Sequence, residues 1–252
     1  IMFSATLSPL SYFRDILGGR REDATLRLPS PFPRENLLVV IENCVETRFR
    51  CRDRYLERAA LAIHQWVSSH TGNYMVFFPS YKYMTDVPNV FTDLEGDFRI
   101  ICQEKDMDES SRNAFLGEFD TFGDVTRIGF CVMGGIFGEG IDLVGDRLTG
   151  VIIVGVGLPQ VCPEQEIMRS YYDEKMGSGF SYAYTYPGIN RVLQASGRLI
   201  RSESDRGALL LIDSRFGNKE HLRLLPDEWH PIPRTSEGID LESCARQFWE
   251  NR

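Results

Sequence analysis

Six short runs of β-branched and aromatic residues constrain what this chain can fold into more than any other feature. They are Leu37–Ile41, Tyr74–Phe78, Arg99–Cys102, Arg127–Met133, Gly150–Val154 and Ala208–Ile212. Most are near-continuous in apolar residues rather than alternating, which is the pattern of a strand buried on both faces. Amphipathic stretches separate several of them. The spacing of Tyr55, Ala59, Ala62, Ile63 and Trp66 predicts a helix over Asp53–Ser69, and helices are also expected over Ser110–Phe119, Glu164–Lys175 and Gly188–Ile200. Ser8-Pro9 reads as a helix start with Gly18 as its stop, and Ser80 as a helix cap. Strands alternating with helices imply an α/β fold: three layers, a mostly parallel sheet and helices on both faces. Ligands of such sheets gather at the carboxyl ends of the strands, so the informative loops are expected there.

Composition narrows the class. The 252 residues carry a net charge of −8, which argues against a protein that coats nucleic acid through a basic surface. Yet 24 of the 28 basic residues are arginine, the side chain suited to gripping phosphate or carboxylate through a planar fork. No run of 18 apolar residues is present, so no helical membrane span is expected, and the first ten residues do not read as a signal peptide. The chain opens on an apolar run, like a piece of something longer. The six cysteines form no C-x-x-C pair and the four histidines have no ligand spacing, so neither a resident metal nor a disulfide framework is expected. Cys102 and Cys131 read as small buried hydrophobes. The expectation is a reduced, cytoplasmic protein.

Four segments carry the chemistry. Met133–Asp142 (MGGIFGEGID) follows a strand with four glycines in seven residues, a loop whose backbone can approach a ligand closely, but it matches neither phosphate-loop fingerprint. Gln194–Arg206 (QASGRLIRSESDR) is expected to close a helix entered at Pro187. There Gln194, Arg198 and Arg201 would share one face and converge on a polyanion, unless the arginines simply pair with Glu203 and Asp205. Phe3–Pro9 (FSATLSP) reads as a strand ending in small hydroxyls, and Val76–Tyr81 (VFFPSY) as a strand whose exit carries Ser80 and an aromatic ring.

In this order the four segments resemble the motor motifs III, IV, V and VI of the DinG/XPD family of superfamily-2 DNA helicases. FSATLSP is similar to motif III, VFFPSY to motif IV, GGIFGEGIDLVGDRL to motif V, and QASGRLIRSESDRG with the strand ALLLIDSR to motif VI. The resemblance implies that residues 1–20 end the motif III segment and connect two motor domains, and that residues 21–252 are the second RecA-like domain. It implies ATP and Mg2+ as cofactors, held mainly by the first domain, whose phosphate loop and acidic box do not occur in these residues. Hydrolysis by this chain alone is therefore not expected. Arg198 and Arg201 would reach across a domain cleft to the β- and γ-phosphates as arginine fingers, with Gln194 sensing the γ-phosphate. Gly138, Glu139, Gly140 and Asp142 would line the nucleotide and couple its state to DNA. Ser80, Tyr81, Gly134 and Gly135 would lie along the single strand. The partners implied are single-stranded DNA and the first RecA-like domain, the direction 5′ to 3′, and the setting DNA repair or replication, on the nucleoid in a bacterium. An iron–sulfur cluster, where the family has one, belongs to the first domain and not to these cysteines.

Two further features stand beside the resemblance. Arg48, Arg50, Arg52, Arg54 and Arg58 form a basic run that tracks a phosphate backbone if it is extended, and is otherwise a solvated helix start. Tyr171, Tyr172, Tyr182, Tyr184 and Tyr186, between motifs V and VI, are expected to pack rather than stack on bases. The competing functions are a non-catalytic α/β interaction module that kept motor-like motifs, and a helicase domain that acts on RNA.

Overall fold

The computed structural model describes residues 1–91, 94, 96–120, 123–139 and 147–251, with the backbone alone at Gly138 and Glu139. Six strands form one sheet: β1 (Leu37–Glu42), β2 (Asn73–Phe78), β3 (Phe98–Cys102), β4 (Thr126–Val132), β5 (Gly150–Val154) and β6 (Gly207–Ile212). Their order is β1-β6-β5-β2-β4-β3 and every pairing is parallel.

The helices are α1 (Leu10–Ile16), α2 (Leu56–Ser68), α3 (Tyr81–Phe91), α4 (Glu109–Gly117), α5 (Ile136–Glu139), α6 (Pro163–Met176), α7 (Tyr186–Ser196), α8 (Lys219–Leu222) and α9 (Leu241–Glu250). Period-2 alternation along the strands sorts their side chains into two cores. Val39, Ile41, Met75, Phe77, Val151, Ile153, Leu209 and Leu211 face Phe115 of α4, Phe137 of α5 and Ile189 and Val192 of α7. Val40, Val76, Phe78, Ile152, Val154, Leu210 and Ile212 face Trp66 of α2, Val87 of α3 and Ala245 of α9. The fold is thus the expected three-layer, RecA-like α/β sandwich.

Two expectations fail locally, and one pair of alternatives is decided. Phe3–Thr6 is not a strand: the Ser4 hydroxyl accepts from the Thr6 amide at 3.3 Å and bends the chain into an exposed turn. Of the two readings of the arginine run, the helix start is the one observed: a turn over Arg48–Cys51 leads into a 3-10 helix at Arg52–Tyr55 that feeds α2. Cys131 is buried as expected, but Cys102 is exposed, at the end of a strand that pairs on one side only.

The five tyrosines between motifs V and VI behave as packing residues except one. Tyr172, Tyr182 and Tyr184 are buried and Tyr186 is partly so, whereas Tyr171 is exposed. A π-helical turn, Ser181–Thr185, joins α6 to α7 and stacks Tyr182 on Tyr172 with ring centroids 4.1 Å apart. The Tyr12 ring of α1 lies 5.4 Å from Tyr182, whose hydroxyl donates to Asp15, and Asn190 Nδ2 of α7 donates to the Ser8 carbonyl at 2.9 Å.

Candidate nucleotide and nucleic-acid edges

Because all strands are parallel, the sheet has a carboxyl edge and an amino edge, and the expected site residues divide between them. Ser80, Tyr81, Gly134 and Gly135 lie at the carboxyl edge. The Ser80 hydroxyl caps α3 by accepting from the Tyr83 amide at 3.3 Å, and it also accepts from Arg52 Nη1 at 3.1 Å. The Tyr81 hydroxyl accepts from Gln103 Nε2 at 2.9 Å, and the same buried glutamine accepts from the Val132 amide at 2.9 Å. Gln103 therefore ties the exits of β2, β3 and β4 together. Burial, with Asp106 and Cys131 nearby, raises the Tyr81 pKa, so its phenol stays protonated and able to donate.

Beyond β4 the chain turns through Gly134 at φ +73°, and a Cβ there would stand 3.2 Å from Arg191 Nε. The left-handed backbone favours glycine there, and any Cβ would push the guanidinium aside by a few tenths of an ångström. Arg191, on α7, also donates to the Gly157 carbonyl at 3.3 Å, bridging the loops that follow β4 and β5. Gly157 has φ +68° and packs so closely on α7 that a Cβ would lie 2.6 Å from the Gly188 carbonyl.

The same edge holds a buried ion pair that the sequence reading missed. Asp213, with no exposed surface, accepts from Arg215 Nε and Nη2, each at 2.8 Å. Thr47, in the loop after β1, donates to the same carboxylate, and Arg215 Nη2 reaches the Thr47 hydroxyl at 3.3 Å. Thr47 and Asp213 are 166 residues apart in sequence, so no local pattern announces them.

Arg198 and Arg201 lie elsewhere. The helix expected to run to Ile200 ends at Ser196, with Gly197 as its C-cap, so the two arginines do not share a helical face with Gln194. They sit in the loop between α7 and β6, at the amino edge, where the Glu203 carbonyl accepts from Asn36 Nδ2 at 2.9 Å just before β1. The apolar pair Leu199-Ile200 mimicked a continuing helix. Leu199 is instead buried against the first residue of β6.

Asp205 closes this loop by accepting from the Arg201 amide at 2.7 Å, the Ser202 amide at 2.8 Å and the Ser202 hydroxyl at 2.8 Å. Burial pushes the Asp205 carboxyl up, but those hydrogen bonds and the nearby Arg201 outweigh it and hold its pKa below the usual carboxylate range. Asp205, offered by the sequence as a partner for the arginines, thus also accepts from two backbone amides and a hydroxyl.

The backbone of Gly138 and Glu139 belongs to α5, while Gly140 and Asp142 fall outside the described residues. Among the described residues no three His, Cys, Asp or Glu side chains converge as a metal would require. No helix among them is long and apolar enough to cross a membrane. The cysteines here do not fit an iron–sulfur cluster.

Comparison with known proteins matches this geometry. Residues 63–232 match the family model described as the helicase C-terminal domain. The chain is 28% identical over 248 residues to the ATP-dependent DNA helicase DinG of Photobacterium profundum, covering 94% of this chain and 34% of that protein. It is 28% identical over 245 residues to the ATP-dependent DNA helicase YoaA of Escherichia coli, covering 94% of this chain and 36% of that one. The chain thus spans about a third of the length of the curated relatives it matches. A solved structure titled XPD helicase superposes with a TM-score of 0.71 over 92% of this chain and 41% of its own, at 21% identity, a likeness of fold. Family model, relatives and fold agree, and the chain belongs to the helicase C-terminal domains of the DinG/XPD-like DNA helicases.

Proposed function

We infer that this chain is the second motor domain of an enzyme that couples ATP hydrolysis to 5′-to-3′ travel along single-stranded DNA and to duplex unwinding, in DNA repair or replication. The observation that carries the reading is the course of α7. Arg191, at its middle, touches the glycine loop of the carboxyl edge, and its C-terminal end delivers the Arg198–Arg201 loop to the amino edge. The five residue steps from Arg191 to the last residue of the helix, Ser196, span roughly 7.5 Å at ~1.5 Å per residue. A rigid rod of that length links a nucleic-acid contact to a nucleotide contact without merging them.

In this reading the single strand runs past Ser80, Tyr81, Gly134 and Gly135. Arg198 and Arg201 reach the β- and γ-phosphates of an ATP whose magnesium and phosphate loop are supplied by the first RecA-like domain, and Gln194, on α7, senses the γ-phosphate. Gly138, Glu139, Gly140 and Asp142 form the coupling segment between the two. Work on DNA puts the enzyme in the cytoplasm, on the nucleoid in a bacterium.

The test is Arg198→Ala in the full chain that carries both motor domains. DNA-stimulated ATP hydrolysis should fall by ~10³-fold or more, while affinity for single-stranded DNA stays within about twofold, because no phosphate contact to DNA is removed. Wild-type turnover in the variant would refute the arginine-finger assignment.

A further inference from the structure

The loop after β1 holds an exposed aromatic ring that neither the fold nor the motor motifs account for. Phe49 is 76% exposed. A large apolar side chain left so open between two arginines does not serve the core. Its support is Arg52, whose guanidinium carbon lies 4.6 Å from the Phe49 ring centroid and 5.4 Å from that of Tyr83. Arg52 is thus sandwiched between an exposed ring and a buried one. Its Nη1 donates to Ser80, and its Nε is buried without a partner.

These contacts set the course of the loop across the sheet. Thr47 meets Asp213 beyond β6 and packs beside Gly155 beyond β5, and Arg52 then meets Ser80 beyond β2. The loop therefore lies over the carboxyl ends of three adjacent strands, β6, β5 and β2. It places Phe49 next to the segment that resembles motif IV. Between residues 46 and 58 there are five arginines and three acids, a local charge of +2 in a chain of −8. Arg48, Arg50 and Arg54 are exposed, and of these Arg48 pairs with Glu46.

The geometry points to Phe49 as a stacking platform for one base of a nucleic-acid single strand, with Arg50 and Arg54 meeting the flanking phosphates. This rests on the reading of the carboxyl edge as the single-strand track. An aromatic face beside cationic side chains holds a strand without reading its sequence, because every base offers a π-face. Here the ring is already fixed by Arg52, which lowers the entropy that binding must overcome.

The test uses the full chain and two probes of equal length, an oligothymidine and an abasic oligonucleotide that keeps the sugar–phosphate backbone. Phe49→Ala should weaken oligothymidine binding about tenfold, the loss of roughly one stacked base, and leave abasic binding unchanged. Phe49→Trp should bind oligothymidine like wild type, with its added fluorescence quenched by that probe and not by the abasic one. Arg50→Ala should weaken both probes and lower the slope of log affinity against log salt by roughly one contact.

Equal loss on both probes for Phe49→Ala would overturn the stacking role, and so would unchanged affinity for oligothymidine. Unchanged DNA affinity with lowered DNA-free ATPase would assign the ring to the neighbouring motor domain instead, and would also overturn it. Wild-type chain that fails to bind oligothymidine would sink this proposal together with the single-strand track. Wild-type binding with an indifferent Phe49 sinks this one alone.

Discussion

At the carboxyl edge, loops from distant parts of the chain bond one another; at the amino edge, one loop folds onto its own carboxylate. Thr47, Asp213 and Arg215 join the exits of β1 and β6, Arg52 and Ser80 join the loop after β1 to β2, and Gln103 joins β2, β3 and β4. The Arg198–Arg201 loop is closed mainly by Asp205, four residues from Arg201, and by Leu199 against β6, with a distant bond from Asn36 to the Glu203 carbonyl. An edge cross-linked through partners far apart in sequence moves only if several strands move. A loop closed chiefly on its own carboxylate, with the bond from Asn36 to the Glu203 carbonyl beside it, has fewer distant bonds to break when it rearranges. That contrast suits a motor in which one edge must keep its shape along a polymer while the other meets and releases a nucleotide.

The largest effect that would break the comparison belongs to the buried ion pair. Asp213→Asn leaves the Arg215 guanidinium, itself 15% exposed, facing a neutral amide at a fully buried position. Losing one partner of a buried pair costs about 3–5 kcal/mol, which should appear in urea unfolding with an unchanged slope. The double variant Asp213→Asn with Arg215→Met should recover part of that loss, because no buried charge remains unpaired. A cost under about 1 kcal/mol for the single change would mean that the carboxyl edge is not cross-linked through this pair.

Next in size is Gly157→Ala. The residue sits at φ +68°, and the new methyl would press on the Gly188 backbone at the start of α7. Strain in that region costs about 1–3 kcal/mol before the clash is counted. The substitution should also displace Arg191 from the Gly157 carbonyl, so DNA stimulation of the ATPase should drop more than basal turnover does. Equal loss of both would show that α7 does not transmit from the carboxyl edge.

How much of this was legible depended on whether the cause was local. The strands were, because burial on both faces demands unbroken apolar runs such as Ala208–Ile212 (ALLLI), and both cores are filled by alternate residues of those runs. Ser80 as a cap was legible, since its bonding partner is three residues away. The end of α7 was misjudged because Leu199 keeps the helical spacing of apolar residues, although Gly197 already marked the stop. The division of the site between two edges was not legible at all. It follows from strand order and from which end of β6 the arginine loop enters, neither of which periodicity encodes. The meeting of Thr47 with Asp213, 166 residues apart, and that of Arg52 with Ser80, 28 apart, are set by tertiary contacts that no local pattern encodes.

The smallest effect sharpens the comparison most, because it isolates the amino edge. Asp205→Asn removes a carboxylate that accepts from two amides and a hydroxyl, in a partly exposed loop where solvent screens the charge. Global stability should therefore change by about 1 kcal/mol or less. Amide exchange at Arg201 and Ser202 should nonetheless quicken about fivefold, the equivalent of that energy. The folded pKa of Asp205 lies below its unfolded value, so its contribution is complete above about pH 4 and is lost as pH falls through the folded value. Acidification should thus lower the protection of those two amides, measured against their intrinsic exchange rates at each pH, in the wild type and leave it unmoved in the Asn variant. Single-strand affinity should stay the same throughout, since nothing at the carboxyl edge contacts this loop through Asp205. If the variant instead weakened DNA binding while its amides stayed protected, the two edges would not be separable in the way their construction implies.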